Sequence, residues 1–325
     1  MRTVEPGFRP AAVPPLVALT ARYPRTTVTE LVVATPVFLD LTFVGLESLP
    51  ALGEERFAGA LLRSPGGGAI TAVGAARLGV ASAVAAPIGD DLAGDLVRKT
   101  LAEEAVEWIA TRPAPRTPTT VVMPFGGDRA MVTVDPGARS SATDVASGSP
   151  GAVAVNLDQL YIVPAEAQAF VTCGEDDARA FAGRPPADLA RAHVIFTSRR
   201  EALQLTGEAT VERAGAMLAT LAATAVVTLA GEGAIAFSGS ASTAVAAENV
   251  EHPVDTTGAG DLLAAAYIWA ELRGAEHADR LRWAVLYATL AVRTPTGIGG
   301  AVREGELVSA GVALGLTPPP LSGVA

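Results

Sequence analysis

Residues 255–261, DTTGAGD, combine two aspartates with two glycines, and these residue types at this spacing suit the transfer of a phosphoryl group. The Ala- and Leu-rich run that follows ends at Gly274, which predicts a helix beginning inside this segment. The free N–H groups and dipole of a helix start attract an anion, and glycine lets that anion approach the backbone. Asp261 could then take a proton from an acceptor hydroxyl. The backbone N–H groups that would hold the phosphate belong to Gly258, Ala259 and Gly260.

The same residues also fit a plain turn followed by an acidic helix start, because short motifs match by chance. The complete seven-residue string is more specific than a bare Gly-x-Gly. It resembles the C-terminal signature of the ribokinase-like (PfkB) family of carbohydrate and nucleoside kinases. The resemblance implies an α/β fold, with a mainly parallel sheet sandwiched by helices and a small β-strand lid. It also implies ATP and Mg²⁺ as cofactors and raises K⁺ as a third.

On the acceptor side, the apolar run 30–34 predicts a first strand, and Asp40 follows it as a lone acid in an apolar context. A carboxylate can accept two hydrogen bonds from a vicinal diol, and the resemblance assigns Asp40 to the sugar hydroxyls. The glycine cluster that contains Gly67 and Gly68 opens an Ala-rich helix and resembles the family's sugar-binding Gly-Gly motif. Ile70 or Thr71 stands where the family has an asparagine, which puts a ribose-type substrate in doubt.

On the nucleotide side, Glu201 matches an acid that helps to order Mg²⁺ through water in the family, while Ser198 replaces the family's asparagine. An acid in the first turn of a helix is also common without any such role. The other nucleotide-binding residues implied by the resemblance, besides Gly260, are Thr228, Gly231 and Gly233 in a strand–turn–strand segment, and Tyr287 near the adenine. The residues implied to bind a monovalent cation are Asp255 and Thr257.

The resemblance covers residues 31–303, which we predict to form the kinase domain. Lid strands are expected at about 41–65 and 118–135, with a hairpin turn at 126–128. Strands and helices alternate in the second half of the domain, including a strand near 159–163 and a helix near 165–172. Asp91, in a Gly-Asp-Asp turn, is predicted to cap the next helix. The flanking segments are a loosely ordered extension at 1–30 and a C-terminal tail at 304–325 that begins with a short helix.

Composition restricts the function further. The 325-residue chain carries a net charge of −10 and has no basic run, which argues against a nucleic-acid partner. Its only cysteine, Cys173, excludes a disulfide framework. We find neither a signal peptide nor a membrane span and expect a cytoplasmic protein. The expected partners are ATP and a sugar-like small molecule, and a second copy of the chain could pair through the lid strands.

These observations predict an ATP-dependent kinase that phosphorylates a hydroxyl of a sugar or sugar-like molecule. A nucleoside kinase of the same fold is the first alternative, although the lid is poor in the aromatic residues that would surround a base, with Phe43, Phe57 and Phe125 as candidates. A non-catalytic sugar- or nucleotide-binding relative is the second, motivated by the two missing asparagines. A dehydrogenase is a weaker third reading, because the glycines at 66–68 lack the dinucleotide-binding spacing.

Overall fold

The computed structural model describes residues 29–125 and 128–320. Nearly all of the predicted N-terminal extension and the two glycines of the predicted hairpin turn therefore lie outside the described residues. In the described part of the chain, the larger of two sheets has nine strands. In spatial order these are β13 (Ala241–Val245), β12 (Ala234–Ser238), β11 (Thr224–Thr228), β10 (Ala192–Ser198), β9 (Gln168–Thr172), β8 (Ala152–Asn156), β1 (Leu31–Val33), β4 (Ser82–Val84) and β5 (Glu107–Trp108).

This sheet is parallel from β11 to β5, while β12 and β13 turn back antiparallel at one edge. Its central strands are short runs of Ala, Val, Ile and Phe, which suits strands buried on both faces. The helices of the described chain are α1 (Gly68–Arg77), α2 (Leu92–Glu103), α3 (Ala142–Ser147), α4 (Glu175–Ala180), α5 (Arg199–Thr206), α6 (Val211–Leu221), α7 (Ala259–Leu272), α8 (His277–Ala291) and α9 (Glu304–Ala313). Three short 3₁₀ turns add to these, at Leu157–Ile162, Ala187–Arg191 and Ala230–Glu232. The predicted α/β class is confirmed.

A second, smaller sheet forms the lid. The described residues contribute four strands to it, in the order β3 (Ala60–Gly67), β2 (Val37–Val44), β6 (Thr119–Phe125) and β7 (Asp128–Val134). The β6–β7 pair is the predicted hairpin, and the register places Asp40 beside Thr120 and opposite Ser64. The predicted lid segments are thus present, although residues 45–59 between β2 and β3 form no strand.

Helix α7 is the buried element that positions the DTTGAGD segment. Its residues 262–270 are all buried, as its nearly continuous apolar sequence predicts. Helix α1 approaches it closely at Gly74, where a Cβ would lie only 2.6 Å from Leu262 Cδ2. On another side, Trp269 packs edge-on against Trp283 of α8, with ring centroids 5.6 Å apart. The start of α7 is therefore held by a rigid core.

Two expectations about the secondary structure are wrong. No strand forms at 159–163: strand β8 lies earlier, at Ala152–Asn156, and a 3₁₀ turn follows it over Leu157–Ile162. The segment 165–172, which was predicted to be a helix, instead contains strand β9 (Gln168–Thr172). Short apolar runs do not separate a buried strand from a buried helix by periodicity alone. The predicted tail is also part of the folded body, because α9 buries Leu307 and packs Gly311 against Trp283. The cap of α2 is as predicted, with Asp91 accepting a hydrogen bond from the Gly94 N–H at 2.8 Å.

Candidate active site

The DTTGAGD segment forms a tight turn at the N-terminus of α7. Gly258 is the residue before the helix and has a φ of 78°, a left-handed conformation that favours glycine. A Cβ there would also lie 2.8 Å from Ile70 Cδ1 and 2.9 Å from Gly297 Cα, so the position has no room for a side chain. A Cβ on Gly260 would meet nothing within 4 Å. The first turn of the helix is thus packed from behind at Gly258 and open at Gly260.

Asp261 lies in this first turn and is partly buried. Its Oδ1 accepts a hydrogen bond from the Thr71 hydroxyl at 3.4 Å. Burial raises the pKa of Asp261 to about 6, against the opposing effects of the Thr71 hydrogen bond and of Arg129. A carboxylate with such a pKa is ionised near neutral pH and is a better proton acceptor than an ordinary aspartate.

Asp40 faces the same cleft from the middle of lid strand β2 and is 8% exposed. Burial raises its pKa to about 7, and repulsion from Asp261 and Asp255 adds to that effect, while Arg129 and a hydrogen bond with Thr120 lower it. These mutual electrostatic effects show that the sequence-predicted acids of the lid and of the body come together. The carboxylate lies against the neighbouring strand, since a Cβ on Gly66 would be 2.1 Å from Asp40 Oδ2.

The glycines at the start of α1 pack closely against the chain segment 35–36, whereas the family resemblance implied that they bind the acceptor. The Gly68 N–H donates to the Pro36 carbonyl at 2.9 Å, so it is not available to an acceptor. A Cβ on Gly68 would lie 2.3 Å from Thr35 Oγ1, and one on Gly67 would lie 2.5 Å from Pro36 O. The turn between β1 and β2 uses this N–H, and the predicted contact of the remaining Gly67–Gly68 backbone with the acceptor stays a prediction.

Ile70 and Thr71, one of which stands where the family has an asparagine, have different environments. Ile70 is 1% exposed and packs against Gly258 and Gly297, behind the anion-binding turn. Thr71 points to Asp261, as the hydrogen bond above shows. Thr71 is therefore the polar contact at this place, and Ile70 supports the turn by shape.

Arg129 is a functional candidate that the sequence reasoning missed. It lies on lid strand β7, and its Nη1 donates to Thr256 Oγ1 at 2.9 Å, which ties the lid to the DTTGAGD segment. Its positive charge reaches both Asp40 and Asp261. A single arginine after a turn carries no sequence signal of its own, because only the strand pairing brings it to the acids.

The predicted nucleotide-side residues lie at the carboxyl edge of the parallel strands, where open α/β sheets bind ligands. Ser198 and Glu201 form a capping box at the start of α5: the Ser198 hydroxyl accepts from the Glu201 N–H at 3.3 Å, and Glu201 Oε2 accepts from the Ser198 N–H at 2.7 Å. Thr228 ends β11. The turn after it holds Gly231, around which a Cβ would find open space, and Gly233, with a φ of 107°.

The structure contradicts the assignment of Tyr287 to the adenine. This side chain is fully buried in α8, and its hydroxyl donates to the Val302 carbonyl at 3.0 Å and approaches the Gly74 carbonyl at 3.3 Å. A side chain closed off by the core cannot contact a nucleotide. Its contact with Gly74 instead joins α8 to α1.

The predicted monovalent-cation residues lie directly behind the turn. Asp255 is 5% exposed, and its two oxygens accept the N–H groups of Thr257 at 2.8 Å and Thr296 at 2.9 Å. The Thr257 hydroxyl is buried without a hydrogen-bond partner. Asp255 therefore holds the 294–300 loop against the DTTGAGD segment, and one buried oxygen stays available to a ligand.

The comparisons with known proteins identify the family. The sequence pattern of the pfkB family carbohydrate kinases matches residues 53–302, more than half of the chain. The chain belongs to the pfkB family of carbohydrate kinases. These are phosphotransferases, and this membership confirms the predicted resemblance. No curated protein sequence matches this pfkB kinase in a direct comparison.

Solved structures share the fold of this pfkB kinase at low sequence identity. A "probable sugar kinase protein" from Rhizobium etli CFN 42 has a TM-score of 0.74 and 21% identity, over 90% of this chain and 100% of that one. An Arabidopsis thaliana ribokinase complexed with ribose and ATP has a TM-score of 0.70 and 22% identity, over 87% and 98%. An adenosine kinase from Sinorhizobium meliloti has a TM-score of 0.70 and 20% identity, over 89% and 100%. Sugar and nucleoside kinases thus share this architecture.

The part of the chain that the structure describes lacks two further features. In residues 29–125 and 128–320, no helix is long and apolar enough to cross a membrane. Within the same ranges, no three His, Cys, Asp or Glu side chains gather into a metal-binding group.

Proposed function

We propose that this pfkB kinase transfers a phosphoryl group from ATP to a hydroxyl of a sugar or sugar-like small molecule. The observation that carries the proposal is the position of Asp261, a carboxylate with a raised pKa in the first turn of α7, beside the open backbone at Gly260. Asp40 lies on the lid close enough for the two charges to repel each other. A base, an anion-binding turn and an acceptor-binding acid thus share one cleft.

In the proposed reaction, Asp40 accepts hydrogen bonds from acceptor hydroxyls and so orients the acceptor. Asp261 takes the proton of the hydroxyl that attacks, and the Thr71 hydroxyl holds the Asp261 side chain in place. The backbone N–H groups of Gly258 and Gly260 face the charge that develops on the phosphoryl group. The third predicted donor, the Ala259 N–H, donates to the Thr256 carbonyl at 3.3 Å and would have to release this long bond to take part. The Arg129 contact with Thr256 fixes the lid over this turn.

The nucleotide side of the proposal uses Ser198, Thr228, Gly231 and Gly233 together with Gly260. Mg²⁺ bound to the ATP phosphates would neutralise their charge during transfer. Mg²⁺ keeps several waters in such sites, which suits a single protein carboxylate, Glu201, reaching it through water. One Glu201 oxygen already accepts the Ser198 N–H, so the capping box sets the orientation of this carboxylate.

For a monovalent cation such as K⁺, the fit rests on Asp255 and Thr257. Asp255 is a buried carboxylate, and the Thr257 hydroxyl is a buried oxygen without a partner, which are hard ligands of the right kind. A cation there would hold the back of the anion-binding turn. We expect K⁺ to raise turnover, which a comparison of K⁺ and choline salts at equal ionic strength would measure.

The test of the proposed function is ATP consumption against a panel of sugars, sugar acids, sugar phosphates and nucleosides with Mg²⁺. One acceptor should stimulate turnover, and Asp261→Asn should abolish this stimulation while ATP binding by calorimetry and the folded state persist. Undiminished turnover in Asp261→Asn would refute the role of the base. ATP binding without any acceptor-stimulated turnover would favour the non-catalytic alternative.

A nucleoside kinase is the second candidate, and one observation favours it. A cavity of about 200 Å³ lies between the lid and residues 253–256, and Phe43 and Phe125 are among its lining residues. Aromatic side chains could pack against a base. Turnover with adenosine or another nucleoside, at higher kcat/KM than with any free sugar, would select this candidate.

We also propose that two copies of the chain pair through the lid. Val132 and Val134 on β7 and Leu61 on β3 point away from the Asp40 face of the lid and are exposed. The edge strands of the lid could extend their pairing into a second copy. Light scattering of the purified protein should give twice the mass of the chain, and the single-chain mass at all concentrations would contradict this proposal.

A further inference from the structure

The anion-binding turn is supported from behind by the 294–302 loop, which lies between α8 and α9. The Thr296 N–H of this loop donates to Asp255 Oδ2 at 2.9 Å. A Cβ on Gly258 would lie 2.9 Å from Gly297 Cα, so the two backbones are in close contact there. The position of the loop therefore helps to set the shape of the turn.

The loop has a strained backbone. Thr296 is a β-branched residue with a φ of 67°, in the left-handed region that such residues rarely adopt. Its hydroxyl accepts the Gly299 N–H at 3.1 Å, and its carbonyl accepts the Gly300 N–H at 3.2 Å. A strained backbone persists only where the surrounding structure fixes it, so the loop needs contacts from other segments.

Arg77, the last residue of α1, supplies such contacts. Its Nη1 donates to the Ile298 carbonyl at 2.9 Å and also to the Ala301 carbonyl. Glu104, which directly follows α2, holds the other edge of the guanidinium, and its two oxygens accept from Nε at 2.9 Å and from Nη2 at 2.6 Å. The side chains of this ion pair are only 17% and 16% exposed, so salt screens the pair weakly.

This arginine lies at the end of α1 that is far from the reacting groups. Thr71, which donates to Asp261, precedes it on the helix by a distance of about 9 Å along the axis. The link from Arg77 to the site instead runs through the loop backbone. Arg77 binds the carbonyl of Ile298, and the neighbouring residue, Gly297, contacts the anion-binding turn.

We propose that Arg77, oriented by Glu104, is a positioning residue for phosphoryl transfer. It fixes the 294–302 loop and, through that loop, the conformation of the anion-binding turn. The planar guanidinium suits this role, because one edge binds a carboxylate while the other binds two carbonyls. This inference rests on the proposed function and adds a residue outside the cleft to it. The turn acts on charge that develops during transfer, so its distortion should lower kcat more than it raises KM.

The kinetic test compares Arg77→Met with Arg273→Met, since methionine keeps an apolar stem and removes every donor. Arg273 is the matched control: it is buried directly after α7, at the end away from Asp261, and also binds a carboxylate and a carbonyl, those of Glu30 and Gly79.

With an acceptor identified, Arg77→Met should lower kcat by at least about tenfold, because a misplacement of about 1 Å can cost about a hundredfold. Both KM values should stay within about threefold of the parent values. Arg273→Met should keep kcat within about twofold at temperatures well below its melting point, since its loss affects stability alone. An equal kcat in Arg77→Met and Arg273→Met would overturn the proposal.

Amide hydrogen exchange tests the same link without turnover. In the full chain without ligands, peptides that cover 255–261 and 294–302 should exchange at least about tenfold faster in Arg77→Met than in the parent, relative to a peptide from β10. Arg273→Met should leave this ratio unchanged. Unchanged exchange at 255–261 in Arg77→Met would refute the proposed link between the loop and the turn.

Milder variants keep the proposal testable if the methionine variants do not fold. Arg77→Lys keeps the charge but cannot bind Glu104 and both loop carbonyls together, so it should lower kcat less than methionine does, again without a matching rise in KM. Arg273→Lys is its control. Glu104→Gln weakens the orientation of Arg77 and should change kcat in the same direction. A parent kcat in both Arg77→Lys and Glu104→Gln would overturn the proposal.

The two levels of inference can fail separately. If the parent protein consumes no ATP with any acceptor, the proposed kinase function is wrong, while faster exchange at 255–261 in Arg77→Met still supports the link from Arg77 to the turn. If the parent is an active kinase and Arg77→Met has its kcat, the function stands and the positioning role is wrong.

Discussion

Asp40→Asn should make the free protein more stable at neutral pH while it weakens acceptor binding. In the folded protein, burial and the charges of Asp261 and Asp255 raise the pKa of Asp40 from 3.8 to about 7. Each pKa unit corresponds to about 1.4 kcal/mol, so the ionised carboxylate costs the fold up to about 4 kcal/mol above pH 7. Asparagine has nearly the same shape and no charge. The site therefore gives up stability to keep a carboxylate where the acceptor binds.

The sign of the pH dependence follows from proton binding. Between pH 3.8 and about 7, Asp40 keeps its proton in the folded state and loses it in the unfolded state. The unfolded state binds fewer protons in this window, so the contribution of Asp40 to the free energy of unfolding falls as the pH rises. The Asp40→Asn variant lacks this contribution. The difference in free energy of unfolding, variant minus parent, should thus grow by up to about 1.4 kcal/mol per pH unit below pH 7 and level off above it.

The assay is urea unfolding of the parent and the variant at pH values from 5 to 8 without ligands, because an acceptor or ATP would bind the folded state and shift its stability. Titrating groups that do not interact with Asp40 cancel in the difference between the two proteins. Asp176→Asn is the control, since its carboxylate is exposed on α4, and it should give a difference that does not change with pH. A variant that is less stable than the parent at pH 8, or a difference that is constant from pH 5 to 8, would refute the reasoning.

Three further predictions concern the anion-binding turn and its base. With an acceptor identified, kcat/KM should rise with pH between about 6 and about 7 as Asp261 and then Asp40 ionise, and Asp261→Asn should lower kcat by at least about a thousandfold without loss of ATP binding. Gly260→Ala should keep or slightly raise the melting temperature, because its Cβ meets no protein atom, but it should reduce kcat because the new methyl group crowds the phosphate. Gly258→Ala should lower the melting temperature, because its Cβ clashes with Ile70 and the backbone there is left-handed. Equal melting temperatures for the two alanine variants would contradict this assignment. Arg129→Gln should move the kcat/KM profile to higher pH, since Arg129 lowers the pKa of both Asp261 and Asp40. Arg129→Lys should move it less, and an unmoved profile in Arg129→Gln would exclude this electrostatic role.

Several features of the site could be predicted from the sequence because they are local. The seven residues 255–261 contain both the turn and the first helical residues, so their chemistry does not depend on distant partners. The helix caps by Asp91 and Ser198 likewise join residues only three positions apart, Gly94 and Glu201. The β-branched and aromatic residues at about 41–65 and 118–135 predicted the lid strands, although β2 begins earlier, at Val37, and β3 ends later, at Gly67.

Other features depended on contacts between distant segments. The family resemblance assigned Tyr287 to the adenine, but the packing of α8 against α1 buries this side chain completely. The N–H of Gly68 could have bound an acceptor, but the β1–β2 turn takes it. The sequence left the choice between Ile70 and Thr71 open, and the direction of each side chain on α1 decides it.

The sequence by itself determined the family, the α/β class and the residues of the anion-binding turn, because short-range geometry and residue chemistry suffice for these. Only the tertiary structure brought Asp40 of the lid to Asp261 of the body, 221 positions away, and added Arg129 between them. It also revealed two buried hydroxyls without partners, those of Thr42 and Ser64, on the strands that carry and flank Asp40. Charge balance at a site is a property of through-space distances, which strand pairing and helix packing set and which neighbouring positions in a sequence do not.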